Sequence, residues 1–369
     1  MSNNVIVGIV GGYGATGKVV AAELWKSTQW QIRIGGRSLD HAKTAAVNFD
    51  QRVVAAQLDV LNDRSLDAFC SGCSLVINCA GPVSLLQDRV AQSAFRNRCH
   101  YVDPAGLSFV KERMLPHHAE ITNLGLSFVV SAGWIPGISE LLPIYAHTQA
   151  SAHMDSVESV TAYFGDSGDW SPTAFRDMVW FLRQRGLRVP KYFRAGELTR
   201  ARISQASPKL NLGSRIRLQR FNLISTPELD SIGRRFDTCD FLSYAYLPSL
   251  RVALTATVIL ALRLPETLSV RMLQNAFRSA SSPVGGFVVA QVRGRSQGRN
   301  QLFTVQIVYD KHRDYWIHGA TMATVARMVM SRRNAQPGVN FLTDAIDPMA
   351  LAAELRSSGI ELTEDLQTG

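Results

Sequence analysis

No apolar run in the chain is long enough to span a membrane. The longest, Val252 to Leu262, holds eleven residues between Arg251 and Arg263, against about 20 needed to cross the hydrocarbon core. It reads as a buried helix, so no membrane partner is expected. Cysteine is scarce as well. Cys70, Cys73, Cys79, Cys99 and Cys239 are an odd five, too few and too irregular for a disulfide framework. Cys70 and Cys73 form a C-x-x-C with no second pair or suitably spaced histidine to complete a zinc site, so no metal is expected. The opening MSNN lacks the basic and apolar regions of a signal peptide, and a reducing cytoplasm is the expected location. Acids are also in deficit: 30 Asp and Glu face 39 Lys and Arg, for a net charge of +9. That balance favours anionic partners. Without an RNA-recognition, zinc-finger or homeodomain signature, nucleic acid is not expected among them.

What is present is enough for a large core: 369 residues, 46% of them hydrophobic, which suits two domains. The first third alternates strand and helix, with apolar strands at Val5–Val10, Gln31–Ile34, Val53–Leu58, Leu75–Asn78, His100–Val102 and Ser127–Val130 and a helix over Lys18–Lys26. That rhythm predicts a doubly wound parallel sheet, hence an α/β Rossmann domain over residues 1–137. Beyond Pro136-Gly137 the strands lengthen and alternate in polarity, at Val157–Phe164, Arg215–Phe221, Phe287–Arg293 and Gln301–Tyr309. This is the texture of a mixed or antiparallel sheet, and it predicts an inserted α+β domain over 138–330. Gly294–Asn300 reads as a seven-residue hairpin loop and Ala320–Met330 as a helix. Residues 331–369, with an amphipathic stretch at Met349–Arg356, are expected to return to the first domain.

Charge is concentrated in the second domain. Between Ser171 and Phe236 stand fourteen Lys or Arg against four acids. The stretch is either a solvated basic face or a docking surface for an acidic substrate or carrier protein.

The strongest local signal is Gly11-Gly12-Tyr13-Gly14-Ala15-Thr16-Gly17, directly after an apolar strand and directly before a helix. A tight strand-to-helix turn needs glycine, the pyrophosphate of a dinucleotide must approach bare backbone, and the free amides of the helix bind the phosphates. A Walker loop is excluded because Lys18 is followed by Val19 rather than Ser or Thr. At the end of the second strand an acid would favour NAD and a cation NADP. Arg37 stands there, twenty positions past Gly17, with Ser38 as a second donor, so NADP(H) is the expected cofactor. Asp59 either accepts from the adenine amino group or caps a helix. Cys79-Ala80-Gly81-Pro82 would run beneath the nicotinamide ribose.

With GGYGATG, GGRS, VINCAGP, HYVDPAG and AGWIPGISELLP in that order, the chain up to Pro143 resembles the NADP-binding domain of the saccharopine dehydrogenase-like oxidoreductases. The resemblance implies a Rossmann domain, an inserted second domain with a mixed or antiparallel sheet, a C-terminal return, and NADPH-dependent reduction.

Substrate in such a sheet sits beyond the carboxyl ends of the strands, which brings forward Asp103, Trp134 and the helix start at Pro136–Glu140. From the second domain, Asp169 and Ser171 lie in a loop that either contacts substrate or, through Ser171, caps a helix. Tyr244 and Tyr246 are candidate proton donors or core residues. His147, His153 and His318 read as structural. No Tyr-x-x-x-Lys pair sits where the short-chain dehydrogenase mechanism needs it. The expected activity is reduction of a C=N bond, imine or opine-type, in a carboxylate-bearing or carrier-tethered substrate. Alternatives are an enoyl-type C=C reduction and, in another class, a non-catalytic NADP sensor that uses Leu247–Leu264 as a membrane or partner contact. A homodimer fits any of these.

Overall fold

The computed structural model describes residues 5–166, 170–185, 190–212, 216, 219–278, 284–331 and 335–369. The chain divides into two units: residues 1–138 with 315–360, and residues 139–314 with 361–369.

In the first unit, strands Ile6–Val10 (β1), Gln31–Gly36 (β2), Val53–Gln57 (β3), Leu75–Asn78 (β4), His100–Val102 (β5) and Ser127–Val130 (β6) are all parallel, in the order β3-β2-β1-β4-β5-β6. Ile9, Ile32, Ile34, Val76, Ile77, Val102 and Val129 have no exposed surface, as expected where helices cover both faces of a parallel sheet. The strand order reverses between β1 and β4, which opens a crevice at their carboxyl ends. Helix Ala15–Ser27 leads from β1 to β2 and helix Leu39–Ala46 from β2 to β3.

Among the described residues, the second unit is built on a mixed sheet of nine strands. Its centre is Ser156–Asp166 (β7), and Lys191–Arg194 (β8), Glu197–Arg200 (β9), Lys209–Leu210 (β10), Gln219–Leu223 (β11), Asp240–Tyr246 (β12), Gly286–Ser296 (β13) and Arg299–Tyr309 (β14) follow in sequence. The strand run is β10-β11-β12-β7-β13-β14, with β8 and β9 branching from β12. Among the described residues, only the β7–β12 pairing of this sheet is parallel. Helices Pro172–Arg185, Leu250–Leu262 and Glu266–Arg278 pack together through Phe175, Val179, Ile259, Leu273 and Phe277.

Several local expectations are corrected. The seven-residue loop over Gly294–Asn300 is a two-residue turn: the strands continue to Ser296 and resume at Arg299, with Gln297 and Gly298 at φ 51° and 77°, the signature of a type I′ hairpin. The strand expected over Arg215–Phe221 is β11, Gln219–Leu223; Arg215, Arg217 and Leu218 lie outside the described residues.

The chain re-enters the first unit at Tyr315, well before residue 331. Its helix Asp314–Met330 is apolar nearly all round, with Met322, Ala323, Val325, Ala326 and Val329 fully buried, so it needs the covered position a Rossmann sheet provides. A seventh parallel strand, Gly338–Phe341 (β15), then adds beside β6. The last strand, Thr363–Thr368 (β16), belongs to the second unit and pairs with the outer edge of β14. Every β16 residue is exposed, which is why no apolar alternation announced it.

Candidate functional site

The glycine loop lies at the reversal of strand order, and backbone contacts explain its composition. Gly11 and Gly12 both donate to the Gly35 carbonyl, at 2.8 and 3.1 Å. Gly11 sits at φ +75°, a conformation that favours glycine. A β-carbon on Gly17 would overlap the Gly11 carbonyl and come within 2.7 Å of the Gly12 α-carbon, so this glycine permits helix Ala15–Ser27 to lie on β1. Gly14 differs. A β-carbon there would meet only the Gly11 oxygen, at 3.1 Å, so the space beside it is open to a ligand.

That helix starts at Gly14 with no side-chain cap and no acid in its first turn. Its neighbours are capped: Ser38 accepts from the His41 N–H at 3.2 Å, and Asn62 from the Ser65 N–H at 3.1 Å. The helix facing the crevice therefore keeps first-turn amides for an external acceptor, and its dipole favours an anion.

The remaining cofactor candidates fall around this loop. Tyr13 reaches the end of β2, where the Ser38 N–H donates to its hydroxyl at 3.2 Å. Arg37 is exposed and makes no ion pair among the described residues, while its carbonyl accepts from Gln57 Nε2 at 3.4 Å. Asp59 is exposed, and its Oδ1 accepts the Leu61 N–H at 3.0 Å. The next helix, Asp63–Cys70, is capped by Asn62 and not by Asp59, because the turn at Asp59 intervenes. Cys79 extends the pairing beyond β4 by donating to the Val10 carbonyl at 2.8 Å, and Ala80 N–H donates to Asn78 Oδ1 at 3.1 Å. Cys79 and Ala80 abut Gly11 closely enough that a β-carbon on Gly11 would stand 3.0 Å from both. Gly81 and Pro82 continue this loop. Burial, followed by the charge of Asp103, pushes the Cys79 thiol up to about 12, so it is no nucleophile at neutral pH.

Asp103 follows β5 directly, with 1% of its surface exposed. Its Oδ1 accepts the Gly106 N–H and, at 3.2 Å, the Ser131 N–H. Its own backbone pairs with Val129 and Ala132, at 3.2 and 2.8 Å. Oδ2 is buried with no hydrogen-bond partner among the described residues. Burial raises the carboxyl to about 6 against the pull of the Gly106 and Ser131 amides. Asp103 thus ties together the loops after β5 and β6, and no exposed oxygen is left to touch a substrate. Trp134 is likewise fully buried.

At the following helix start, the Ile138 N–H is already bonded to the Gly133 carbonyl at 3.2 Å. Ser139 donates to the buried Glu140 carboxylate at 2.7 Å.

Of the second-unit candidates, Ser171 and Tyr244 are among the described residues and each has a structural role. Ser171 caps helix Pro172–Arg185, accepting the Ala174 N–H at 3.3 Å. Tyr244 is 5% exposed, stacked on Tyr163 at 5.4 Å, and raised to about 12 by burial, which makes it a core residue rather than a proton donor. Asp169 lies outside the described residues. His147 packs edge-on against Phe236 at 5.2 Å. No group of acids, histidines and cysteines suited to a metal occurs among the described residues, and none of the described helices is long and apolar enough to cross a membrane.

Residues 7–129 match the family model described as the saccharopine dehydrogenase NADP binding domain. Human saccharopine dehydrogenase-like oxidoreductase is 23% identical over 178 residues, 43% of this chain and 42% of that protein. The rat protein of the same name is 23% identical over 168 residues, 41% of this chain and 39% of that one. The chain thus matches about two fifths of the length of each relative. Over the whole chain, the fold is similar to apo saccharopine dehydrogenase (L-Glu forming) from Saccharomyces cerevisiae, with a TM-score of 0.68 and 16% identity. That alignment covers 98% of this chain and 100% of the yeast one.

Proposed function

From the match of residues 7–129 to the saccharopine dehydrogenase NADP binding domain, we propose that the protein is an NADP(H)-dependent oxidoreductase. Its proposed reaction is reduction of a C=N bond, imine or opine-type, in a carboxylate-bearing substrate. The observation that carries the cofactor half is the uncapped helix at Gly14 together with Arg37, which follows β2 and makes no ion pair among the described residues.

The residues fit the cofactor. Gly11 to Gly17 and the first-turn amides would hold the pyrophosphate, Arg37 and Ser38 the 2′-phosphate, and Cys79 to Pro82 would underlie the nicotinamide ribose. NADPH when bound supplies the hydride. Asp103 keeps the β5 and β6 loops in place, and in its neutral form the proton resides on Oδ2, the oxygen that accepts no N–H.

The substrate half rests on two supports. The yeast protein that shares the fold is named for an L-glutamate-forming reaction of saccharopine, which suits an amino-acid adduct. Lys191, Arg194, Arg200, Arg202, Lys209, Arg234 and Arg235 are exposed on the second unit, a surface that suits carboxylates or an acidic carrier protein. The test follows NADPH oxidation with three kinds of acceptor: mixtures of amino and keto acids, enones, and an unsaturated acyl group tethered to an acidic carrier. Turnover with the amine and keto-acid mixture supports C=N reduction, whereas turnover only with the tethered acyl group favours the enoyl-type alternative. A salt-sensitive rate confined to tethered substrate would assign the basic surface to carrier docking.

One observation favours a second reading, a nucleotide sensor that does not turn over. Helix Leu250–Leu262, expected from its apolar run to be buried, instead buries only Val252 and Ile259 among its residues and carries an exposed apolar stripe of Leu250, Leu254, Val258 and Leu262, 63%, 66%, 38% and 66% accessible, a face suited to a partner or membrane surface. NADPH binding without hydride transfer to any acceptor, together with sedimentation on liposomes, would select it.

A further inference from the structure

We propose that Tyr13 is a specificity-determining residue of the cofactor site, its phenol donating a hydrogen bond to the 2′-phosphate of NADP(H) alongside Arg37 and Ser38. The inference rests on the NADP(H) reading above and assigns that site a third donor, one supplied by the glycine loop itself.

Tyr13 links the two segments on which the coenzyme would rest. Its ring covers Gly36, where any side chain would overlap it, and it meets the His41 ring edge-on with centroids 5.8 Å apart. A phenylalanine would pack as well, so the hydroxyl needs its own reason. Tyr13 Oη accepts the Ser38 N–H at 3.2 Å, and Ser38 Oγ in turn accepts the His41 N–H at 3.2 Å. A hydroxyl has one proton to donate besides the lone pairs that accept. In both hydroxyls an acceptor position is filled by a backbone N–H, and neither proton has an acceptor among the described residues. Arg37, directly before Ser38 in sequence, is exposed and forms no ion pair among the described residues, Asp40 and Asp59 included.

Two hydroxyls with a proton to donate and a guanidinium that forms no ion pair among the described residues complement a phosphate monoester dianion, and charge-assisted bonds of this kind are the strong ones. The bare ribose hydroxyl of NAD(H) offers no such charge. The arrangement also gives Gly36 a role: the last position of β2 is cleared so that Tyr13 can reach across it.

The experiment uses the full chain and two fragments that report only the adenosine end of the coenzyme. Calorimetric titration of wild type and Tyr13→Phe is made with 2′,5′-ADP and with 5′-AMP, and 5′-AMP uptake also verifies that the variant is folded. The dissociation constant for 2′,5′-ADP should rise about 10-fold or more in Tyr13→Phe, and that for 5′-AMP should change less than about threefold. Parallel losses for both ligands would reduce Tyr13 to packing, and no change for either would remove its hydroxyl from the site. Arg37→Asp separates the premises. If that variant abolishes a wild-type preference for 2′,5′-ADP and Tyr13→Phe does not, the NADP(H) reading stands and the Tyr13 proposal falls. If wild type has no such preference, both fall.

Discussion

Replacing Asp103 by asparagine should remove a definable part of the protein's pH dependence. In the folded chain the carboxyl is raised from 3.8 to about 6, with burial as the main cause. As pH rises through that window the unfolded chain releases this proton while the folded chain retains it. The folded state then binds more protons, and stability declines with pH. The contribution is fully present below about 4 and is lost once pH passes about 6, and the difference amounts to about 3 kcal/mol. The carboxamide of the Asp103→Asn variant cannot ionise, yet its oxygen can still accept the Gly106 and Ser131 amides. Urea denaturation of both proteins at a series of pH values between 4 and 7.5 should show wild type falling by about 3 kcal/mol relative to Asp103→Asn. Asp103→Ala is the control. It takes the Asp103 carboxylate away from the buried Gly106 and Ser131 N–H groups, at about 1 to 3 kcal/mol for each bond lost, and should be destabilised at every pH. Parallel pH profiles for wild type and Asp103→Asn, or a carboxyl titrating near 4 by NMR, would refute the reasoning.

Other expectations can be checked with single substitutions. Gly17→Ala places a methyl against the Gly11 carbonyl and the Gly12 α-carbon; it should cost at least about 2 kcal/mol in thermal unfolding and weaken any dinucleotide at least about tenfold. Arg37→Asp should weaken NADPH by about 100-fold or more and NADH by less than about threefold in fluorescence titrations, and equal losses would take the phosphate role from Arg37. Gly298→Ala strains the φ 77° position of the β13–β14 turn and should cost about 1 kcal/mol by denaturant titration, with nucleotide binding unaffected.

Much of the first unit was legible because its signals are local. Leu75–Asn78, His100–Val102 and Ser127–Val130 are strands with the expected bounds, since short apolar runs between turn residues leave few alternatives. The glycine loop could be read because its spacing, strand and helix are contiguous. Elements whose partners lie far away in sequence were harder. β15 is a short strand recruited to β6 across the inserted unit. β16 carries Thr, Glu, Asp and Gln on an exposed edge, so its hydrogen bonds, not its side chains, define it.

Site chemistry misled in a related way. An acid at the carboxyl end of a strand reads as catalytic, but Asp103 is surrounded by small residues whose amides turn inward, and it became a tie between loops. A tyrosine near an aspartate reads as a proton donor, but Tyr244 faces Tyr163 inside the sheet's apolar core. The link from Tyr13 to Ser38 joins positions twenty-five apart, and no local pattern signals it.

The central claim is that the uncapped, glycine-built turn after β1 and the cation at the end of β2 hold NADP(H). Isothermal titration of the full chain with NADPH and, separately, NADH tests it most directly. The account predicts saturable uptake of NADPH at a single site, with affinity at least about tenfold above that for NADH. Absence of NADPH uptake, or an equal or greater affinity for NADH, would contradict it.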